Sequence, residues 1–308
     1  MFGRMKRLKG KNCLITGAAS GIGRSLAHGL AREGMNLYLA DMDTDGLERV
    51  REETKEYGTK VFIGRCDVSN HDDLQKIADE FSSQLGDVDM LINNAGIAGA
   101  GLIEDITLEE WKHVVNVNVW SIIHSISVFL PGMMKRRTGH IVNTGSGAGI
   151  VGIPCHAQYI ASKFTVVGIT EALHSELKHT YKDMHFSVIC PTYLRTNIID
   201  RTPVSIPYSL LADGGKEEIE TRMEEFKSIF WEKYTKGAPA VDKVVRKYIK
   251  GIRKNKLYIF DGIQLRTAMV LKGICEPLYR LALRSEGRRH LKMIKETLAE
   301  MGIQTRDP

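Results

Sequence analysis

Short apolar runs alternate with longer segments of helical periodicity along residues 9–190. Apolar runs bounded by Gly, Asn or Asp predict strands, and apolar positions spaced three and four apart predict helices. The strands are predicted at 12–16, 36–40, 60–64, 89–93, 139–144 and 185–190, and the helices at 21–33, 44–57, 70–85, 107–134 and 157–180. Because runs such as CLIT and FSVIC are apolar throughout, both sheet faces should be covered. The pattern predicts an α/β fold with a doubly wound, Rossmann-type parallel sheet.

The alternation stops at residues 197–239, which fit neither period and contain Pro203, Pro207 and Gly214-Gly215. An insertion there would overhang the carboxyl ends of the strands, where open α/β sheets bind ligands. We therefore predict that residues 197–239 form a substrate lid.

The remainder of the chain completes the sheet and then extends beyond it. A helix at 241–253 and a seventh strand at 256–260 close a single predicted domain of residues 1–262. Residues 263–308 form a helical extension, with helices predicted at 263–284 and 288–300.

Composition places the chain in the ordinary globular range, with 308 residues, 43% hydrophobic and 26% charged. Its five cysteines form no CxxC pair, which indicates a reducing compartment and argues against a structural zinc site. The basic N-terminus lacks the apolar core of a signal peptide, so we expect a cytoplasmic protein. The histidines show no metal-binding spacing, and no metal is expected.

The chain has a net charge of +6, and its positive charge is concentrated at its two ends. Such ends suit an anionic membrane surface, although basic helix faces are more often simply solvated. Apolar residues alternate with Arg and Lys along 263–284, which fits either packing over the active site, the expected arrangement, or peripheral membrane contact. Charge alone, without a recognised motif, does not favour nucleic acid binding.

A glycine-rich turn with the sequence TGAASGIG spans residues 16–23, directly after the first strand. Glycines there allow a tight turn and a close approach of the backbone to a pyrophosphate, which binds the amides of the helix N-terminus. Glycine also serves ordinary helix entry, so the strand–turn–helix context is what favours dinucleotide binding.

Asp41 ends the second predicted strand. A carboxylate at that place accepts hydrogen bonds from the adenosine ribose and repels a 2′-phosphate, which favours NAD over NADP. Arg24 is the nearest basic residue in the turn, and its direction is not fixed by the sequence, so NADP stays open. Asp41 also suits an ordinary turn position before Asp43.

Tyr159 and Lys163 stand four positions apart, on one face of the predicted helix 157–180. The pKa of a free phenol, near 10, is too high for acid–base catalysis at neutral pH, and a nearby ammonium lowers it. About one such pair is expected by chance in this composition, so the pair gains its weight from neighbouring residues.

Three further polar positions accompany the pair. Ser146 and the sequence NNAG at 93–96 follow the fifth and fourth strands, at the carboxyl edge of the sheet. Asn118 lies in the apolar helix 107–134, where an amide needs hydrogen-bond partners. Each also has a purely structural explanation, as a turn serine, a strand-ending loop or a satisfied core asparagine.

Together, in this order and spacing, these residues resemble the short-chain dehydrogenase/reductase family. The resemblance is close over residues 9–200 and loose to about residue 262. It implies a seven-stranded parallel sheet with helices on both faces, and homodimers or homotetramers formed through helices 107–134 and 157–180. The family's Pro-Gly pair after the sixth strand is Pro191-Thr192 here, which leaves the local loop geometry open.

The resemblance also implies a role for each motif residue. Tyr159 would be the catalytic acid/base, and Lys163 would lower the pKa of Tyr159 and bind the nicotinamide ribose. Ser146 would orient the substrate oxygen, and Asn118 would hold a water in a proton relay. The implied cofactor site comprises Gly17, Ser20, Gly21, Ile22, Gly23, Asp41, Asp67, Val68, Asn94, Ala95, Gly96, Pro191, Leu194 and Thr196, with Tyr159 and Lys163.

The expected function is that of an NAD(P)-dependent oxidoreductase that interconverts a secondary alcohol and a ketone. The apolar residues of 197–239 favour a hydrophobic substrate such as a steroid, retinoid or lipid alcohol, although they equally suit a lid packed on itself or on a partner subunit. Two alternatives remain: a catalytically idle cofactor-binding scaffold and an NADP-dependent carbonyl reductase.

Overall fold

The computed structural model describes residues 8–194, 198, 204–205, 216–234 and 237–302. Its strands are β1 (Asn12–Thr16), β2 (Asn36–Asp41), β3 (Val61–Arg65), β4 (Met90–Asn93), β5 (Ala100–Gly101), β6 (Thr138–Thr144), β7 (Asp183–Cys190), β8 (Val204–Ser205) and β9 (Tyr258–Phe260). Its helices are α1 (Gly21–Arg32), α2 (Thr44–Thr54), α3 (His71–Leu85), α4 (Leu108–Val115), α5 (Ser121–Arg136), α6 (Ala157–Leu177), α7 (Lys216–Tyr234), α8 (Val241–Arg253), α9 (Ile263–Ile274) and α10 (Glu276–Glu300).

Seven strands form one parallel sheet in the order β3-β2-β1-β4-β6-β7-β9. Successive side chains of a strand point to opposite faces. Cys13 and Ile15 of β1 accordingly join the core beneath α1 and α8, whereas Leu14 joins the core beneath α3 and α5. Both faces are covered, and the predicted doubly wound sheet is confirmed.

The predicted helix 107–134 is divided by a π-helical turn at Asn116–Trp120, between α4 and α5. As a whole, Leu108–Arg136 is long and apolar enough to cross a membrane by length and composition alone. Its inner side packs on the sheet, where Ile122 and Phe129 are buried, while Trp120 on its outer side is half exposed. Its apolar composition therefore reflects a core helix with an apolar outer strip.

Helix α7 corrects the expectation that residues 197–239 have no regular period. Ile219, Met223, Phe226 and Phe230 recur at helical spacing, and the neighbouring loop sequence obscures that period over the longer window. Phe226 and Phe230 stack on each other and pack against Leu298 of α10. This part of the predicted lid therefore packs on the C-terminal extension.

The extension also divides at a different place from the prediction, which put the break at 285–287. The break lies at Cys275, whose φ of −138° and ψ of 77° are not helical. Pro277 follows in the first turn of α10. Proline has no amide hydrogen and clashes with the carbonyl four residues earlier, so a continuous helix cannot pass through it without distortion.

Two histidines, one fully buried and one partly buried, lie opposite each other on the neighbouring strands β6 and β7. His140 of β6 is fully buried, and its Nε2 is 2.8 Å from the Ser187 hydroxyl. Burial lowers the pKa of His140 to about 3 and that of its neighbour His185 to about 4. Since the unfolded chain binds these protons near pH 6.5, the stability of the fold must fall as the pH drops from there toward 4.

We predict that His140→Gln flattens this acid dependence. Removing one buried titrating group should reduce the slope of unfolding free energy against pH by up to about 1.4 kcal/mol per pH unit. Urea unfolding at several pH values between 7 and 4 measures the slope. His179→Gln, at an exposed histidine, is the matched control; equal slopes for wild type and His140→Gln would contradict the assignment.

Candidate active site

A cavity of about 1400 Å³ lies at the carboxyl ends of the strands. Its walls include the glycine turn after β1, the ends of β2, β4, β6 and β7, and one side of α9 and α10. Pockets for a single small molecule usually measure about 300–1,000 Å³. The volume therefore accommodates a dinucleotide together with a second molecule.

The glycine turn forms a cradle in which side chains would not fit. Gly17 has a φ of +65°, in the left-handed region that favours glycine. A Cβ atom on Gly23 would lie 2.0 Å from the Gly17 carbonyl oxygen. Ser20 starts α1 without a side-chain capping bond, so it leaves the first-turn amides to other acceptors. The turn thus fits a phosphate group.

Asn94, predicted to line the adenosine side, also anchors this turn. Its Nδ2 donates to the carbonyl oxygens of Thr16 and Gly17, at 3.2 and 3.0 Å. The Thr16 hydroxyl in turn accepts from the backbone amides of Asn94 and Ala95. Thr16 is a site residue that the sequence analysis did not single out, although it begins the TGAASGIG motif.

Asp41 lies at the cavity, with both carboxylate oxygens engaged by backbone amides. Oδ2 accepts from Ala19 at 3.0 Å, and Oδ1 accepts from Asp43 at 3.1 Å. Arg24 points away, because its guanidinium makes two 2.9 Å hydrogen bonds to Glu53. The parallel pairing of β2 with β3 places Arg65 opposite Asp41, which the chain neighbours of Asp41 did not reveal.

Two further predicted adenosine contacts, Asp67 and Val68, line the same end of the cavity. The Asp67 carboxylate accepts from the amide and the hydroxyl of Ser69, at 2.9 and 2.7 Å, and so fixes the loop after β3. Val68 is buried. Ile22, Gly96, Pro191 and Leu194 also line the cavity, whereas Thr196 lies outside the described residues.

The four residues with predicted catalytic roles converge at the end of β6. Ser146 starts a 3₁₀ turn, where its hydroxyl accepts from the Ala148 amide at 3.1 Å, and it lines the cavity together with Tyr159. The ammonium of Lys163 lies 5.6 Å from the centroid of the Tyr159 ring and donates to the Thr144 carbonyl at 2.9 Å. Helix α6 thus presents Tyr159 and Lys163 side by side to the cavity.

Asn118 is buried in the π-helical turn, and its side-chain amide hydrogen-bonds neighbouring protein groups instead of facing the cavity. Its Oδ1 accepts from the Ile97 amide and its Nδ2 donates to the Ile97 carbonyl, both at 2.9 Å, with a further bond to Ser162. A Cβ atom on Gly96 would lie 3.0 Å from Asn118 Oδ1 and 3.4 Å from Lys163 Nζ. The bonds fix the Gly96 loop beside Lys163; a water-holding role for Asn118 stays a prediction.

Burial dominates the electrostatics of the catalytic pair. It raises the pKa of the Tyr159 phenol, an effect that the Ser146 hydroxyl opposes and that nearby Tyr193 reinforces. Burial also lowers the pKa of Lys163 to about 8. Lys163 is therefore mostly charged at neutral pH and loses its charge above about pH 8, and the predicted lowering of the Tyr159 pKa by Lys163 depends on that charge.

These groups can exchange a proton with an oxygen atom bound beside Ser146. A phenol that shares a cavity with a serine hydroxyl and lies beside a buried ammonium can both donate and accept a proton. In the part of the chain that the structure describes, no group of three or more His, Cys, Asp or Glu side chains is placed to hold a metal ion.

The unusual Pro191-Thr192 pair is held by a residue that the sequence interpretation did not single out. Both the amide and the hydroxyl of Thr192 donate to Asp261 Oδ2 at 3.0 Å, and the Tyr248 hydroxyl donates to the same oxygen. The Pro191 carbonyl accepts from Gly147 at 2.7 Å. Threonine in place of glycine thus adds an anchor between the ends of β7 and β9.

The C-terminal extension supplies much of the remaining wall. Leu265, Ala268 and Leu271 of α9 and Tyr279 and Leu283 of α10 line the cavity. Of the apolar residues in 197–239, Ile198 lines the cavity, while Phe226 and Phe230 pack against α10. Ile199, Ile206, Tyr208, Leu210 and Leu211 lie outside the described residues.

Comparison with known proteins agrees with this geometry. Residues 11–203 match the family model described as short chain dehydrogenase. The chain is 38% identical over 213 residues to short-chain dehydrogenase/reductase family 16C member 6 from Bos taurus, covering 67% of this chain and 66% of that protein. It is 30% identical over 267 residues to estradiol 17-beta-dehydrogenase 11 from Macaca fascicularis, covering 84% and 88%.

The fold is also similar to solved structures. A short chain dehydrogenase/reductase from Burkholderia phymatum, in complex with NAD, superposes with a TM-score of 0.74 at 28% identity. That alignment covers 99% of both chains, so it extends through α9 and α10. The extension is therefore shared with at least one protein of this fold.

We predict that Gly23→Ala weakens NAD binding at least tenfold, as a Cβ atom 2.0 Å from the Gly17 carbonyl must displace the turn. Gly168→Ala in α6 is the matched control, because a Cβ atom there meets nothing within 4 Å. Calorimetric titration with NAD measures both. Equal affinities for the two variants would mean that the turn does not hold the cofactor.

Proposed function

We propose that this chain, which belongs to the short-chain dehydrogenase family, interconverts a hydrophobic secondary alcohol and its ketone with NAD as cofactor. The observation that carries the proposal is the convergence of Ser146, Tyr159 and the buried Lys163 in one cavity with the glycine turn, with the Lys163 ammonium 5.6 Å from the centroid of the Tyr159 ring. An idle scaffold would have no physical need for that arrangement.

The side chains divide the work of alcohol oxidation. The hydroxyl of Ser146 orients the substrate oxygen, and the phenol oxygen of Tyr159 takes the hydroxyl proton as the carbonyl forms. Lys163 favours the ionised phenol while it is charged, and its bond to the Thr144 carbonyl fixes its direction. NAD, when bound, supplies the hydride acceptor. In ketone reduction Tyr159 returns the proton.

The residues of the cavity fit a dinucleotide. The cradle at Gly17, Gly21 and Gly23 opens on the N-terminus of α1, whose dipole favours a phosphate. Asp41 would receive the adenosine ribose. The remaining contacts would be the adenine at Asp67 and Val68, the adenosine side at Ala95 and Gly96, the nicotinamide ribose at Tyr159 and Lys163, and the carboxamide at Pro191 and Leu194.

A hydrophobic substrate is supported by the walls of the cavity. Leu265, Leu271 and Leu283 come from the extension, and Val151 and Ile153 from the loop before α6. The similarity to a protein named estradiol 17-beta-dehydrogenase 11 points in the same direction. The class therefore includes steroid, retinoid and lipid alcohols, for which apolar contact rather than hydroxyl recognition provides the affinity.

NADP-dependent carbonyl reduction is the second candidate, and one observation favours it. Arg65 stands opposite Asp41 across the β2–β3 pair, where a guanidinium is a natural partner for a 2′-phosphate. The Asp41 carboxylate lies at the cavity and opposes that use.

We also propose a cytoplasmic homodimer or homotetramer that assembles through the long helix Leu108–Arg136 and α6. The outer strip of the long helix, with Trp120 and Ile123 exposed, supports this assembly. A contiguous apolar strip of this kind suits a subunit interface.

Tyr159→Phe should lower the turnover number for alcohol oxidation by about 10²–10⁴, since acid–base catalysis of this kind contributes that factor. Because the other proposed cofactor contacts remain, the variant should still bind NAD. Tyr193→Phe removes the hydroxyl of another cavity tyrosine and should retain most activity. Reduced-cofactor absorbance with a panel of secondary alcohols measures all three proteins; retained activity in Tyr159→Phe would exclude this residue as the acid/base.

Wild type should prefer NAD to NADP, and Asp41→Ala should reduce that preference at least tenfold. The substitution removes the charge that repels a 2′-phosphate and leaves Arg65 to attract it. Dissociation constants for both cofactors, measured for both proteins, test this. A wild type that binds NADP more tightly would instead support the reductase.

A further inference from the structure

The outer side of α9 and of the start of α10 forms an exposed apolar surface. Ile263, Val270, Ile274, Leu278 and Leu281 are each more than half exposed. In α9 the first three recur at helical spacing on one side, and Leu278 and Leu281 continue the surface beyond the break at Cys275. We name these five residues the outer apolar face. Contiguous exposed apolar surface of this kind marks an interaction site.

Basic residues continue the same side of α10. Arg284, Arg288, Lys292 and Lys295 follow the apolar face at spacings of three and four residues. Among the described residues, Arg284 and Arg288 have no acidic partner within ion-pair distance. An apolar face bordered by cationic side chains is the arrangement of helices that lie in a lipid interface.

The opposite side of these two helices lines the active-site cavity. Leu265 and Leu271 of α9 and Tyr279 and Leu283 of α10 contact the cavity. The helix pair therefore separates the cavity from whatever the outer apolar face contacts. A hydrophobic molecule dissolved in that partner would reach the cavity past one helical layer.

We propose that the outer apolar face docks on an anionic phospholipid membrane and that the active site takes its hydrophobic alcohol or ketone from that membrane. The docking surface is argued from α9 and α10 alone, whereas the delivery of substrate rests on the proposed function.

Charge distinguishes this occupant from a second copy of the chain. Two copies meeting through this surface would bring their Arg284 and Arg288 side chains together, and like charges oppose such contact. Anionic lipid headgroups instead attract each Lys and Arg near the surface while the acyl region receives the apolar side chains. The combination favours a membrane over self-association.

Vesicle flotation tests the docking surface with the full chain. The probes are vesicles of phosphatidylcholine alone and of phosphatidylcholine with phosphatidylglycerol, each at low and at high salt. Wild type should float with the anionic vesicles at low salt and bind the neutral ones at least tenfold more weakly.

Two double variants test the parts of the surface separately. Ile274→Glu/Leu278→Glu removes apolar contact, and Arg284→Glu/Arg288→Glu reverses charge; each should weaken anionic vesicle binding about tenfold or more. Lys76→Glu changes the net charge as much as Ile274→Glu/Leu278→Glu does, and Lys60→Glu/Lys76→Glu as much as Arg284→Glu/Arg288→Glu does. Both control lysines are exposed and distant in sequence from α9 and α10. The controls should bind as wild type does. Calorimetric NAD affinity verifies that every variant is folded.

Three results would overturn docking. In the first, wild type does not bind anionic vesicles at low salt. In the second, wild type and both double variants bind these vesicles equally. In the third, wild type forms a dimer that is lost in Ile274→Glu/Leu278→Glu, and wild type does not bind vesicles.

Substrate delivery has its own readout: both double variants should keep turnover of a short water-soluble secondary alcohol and lose turnover of a long-chain alcohol held in vesicles. Absence of turnover with every alcohol would refute the proposed function, while flotation would still decide the docking surface.

Discussion

The active site depends on hydrogen bonds that join the catalytic helix and its neighbouring loops to the ends of the central strands. Lys163 donates to the Thr144 carbonyl at the end of β6, and Asn118 holds both polar groups of Ile97 after β4. Asn94 holds the carbonyl groups of the glycine turn after β1. Because these groups are buried or half-buried, losing one partner leaves another unsatisfied, which costs about 1–3 kcal/mol. The proton-transfer groups and the cofactor cradle are thus fixed to one scaffold.

This arrangement explains why burial is compatible with catalysis here. Burial alone would leave Tyr159 protonated and Lys163 readily neutralised. The nearby Ser146 hydroxyl opposes the first effect by lowering the pKa of the phenol. Charge on Lys163 is retained at neutral pH, so an ammonium remains beside the phenol where a proton must move. The parallel sheet supplies the geometry, and the cavity supplies the low dielectric in which these charges matter.

Local sequence patterns predicted most of the sheet, because a short continuous apolar run in an α/β protein fits a strand that is covered on both faces. The glycine turn and the Tyr159–Lys163 pair were recognised for a similar reason, since each motif lies within a few consecutive residues. Contacts between elements were not accessible. Arg65 stands opposite Asp41 because of the register between β2 and β3, and the hydrogen bond from Thr192 to Asp261 joins positions 69 residues apart. Helix α7 was missed because its period was averaged with adjacent loops. The break between α9 and α10 was predicted at 285–287, whereas the structure places it at Cys275, just before Pro277.

The central claim is that a bound secondary alcohol transfers hydride to NAD in this cavity while Tyr159 takes the proton. Single-turnover reaction of enzyme and NAD with secondary alcohols deuterated at the carbinol carbon tests it most directly. The account predicts that deuterium appears on the nicotinamide ring and that the deuterated alcohol reacts more slowly than its light form. Saturating NAD binding without deuterium transfer from any steroid, retinoid or lipid alcohol would contradict it.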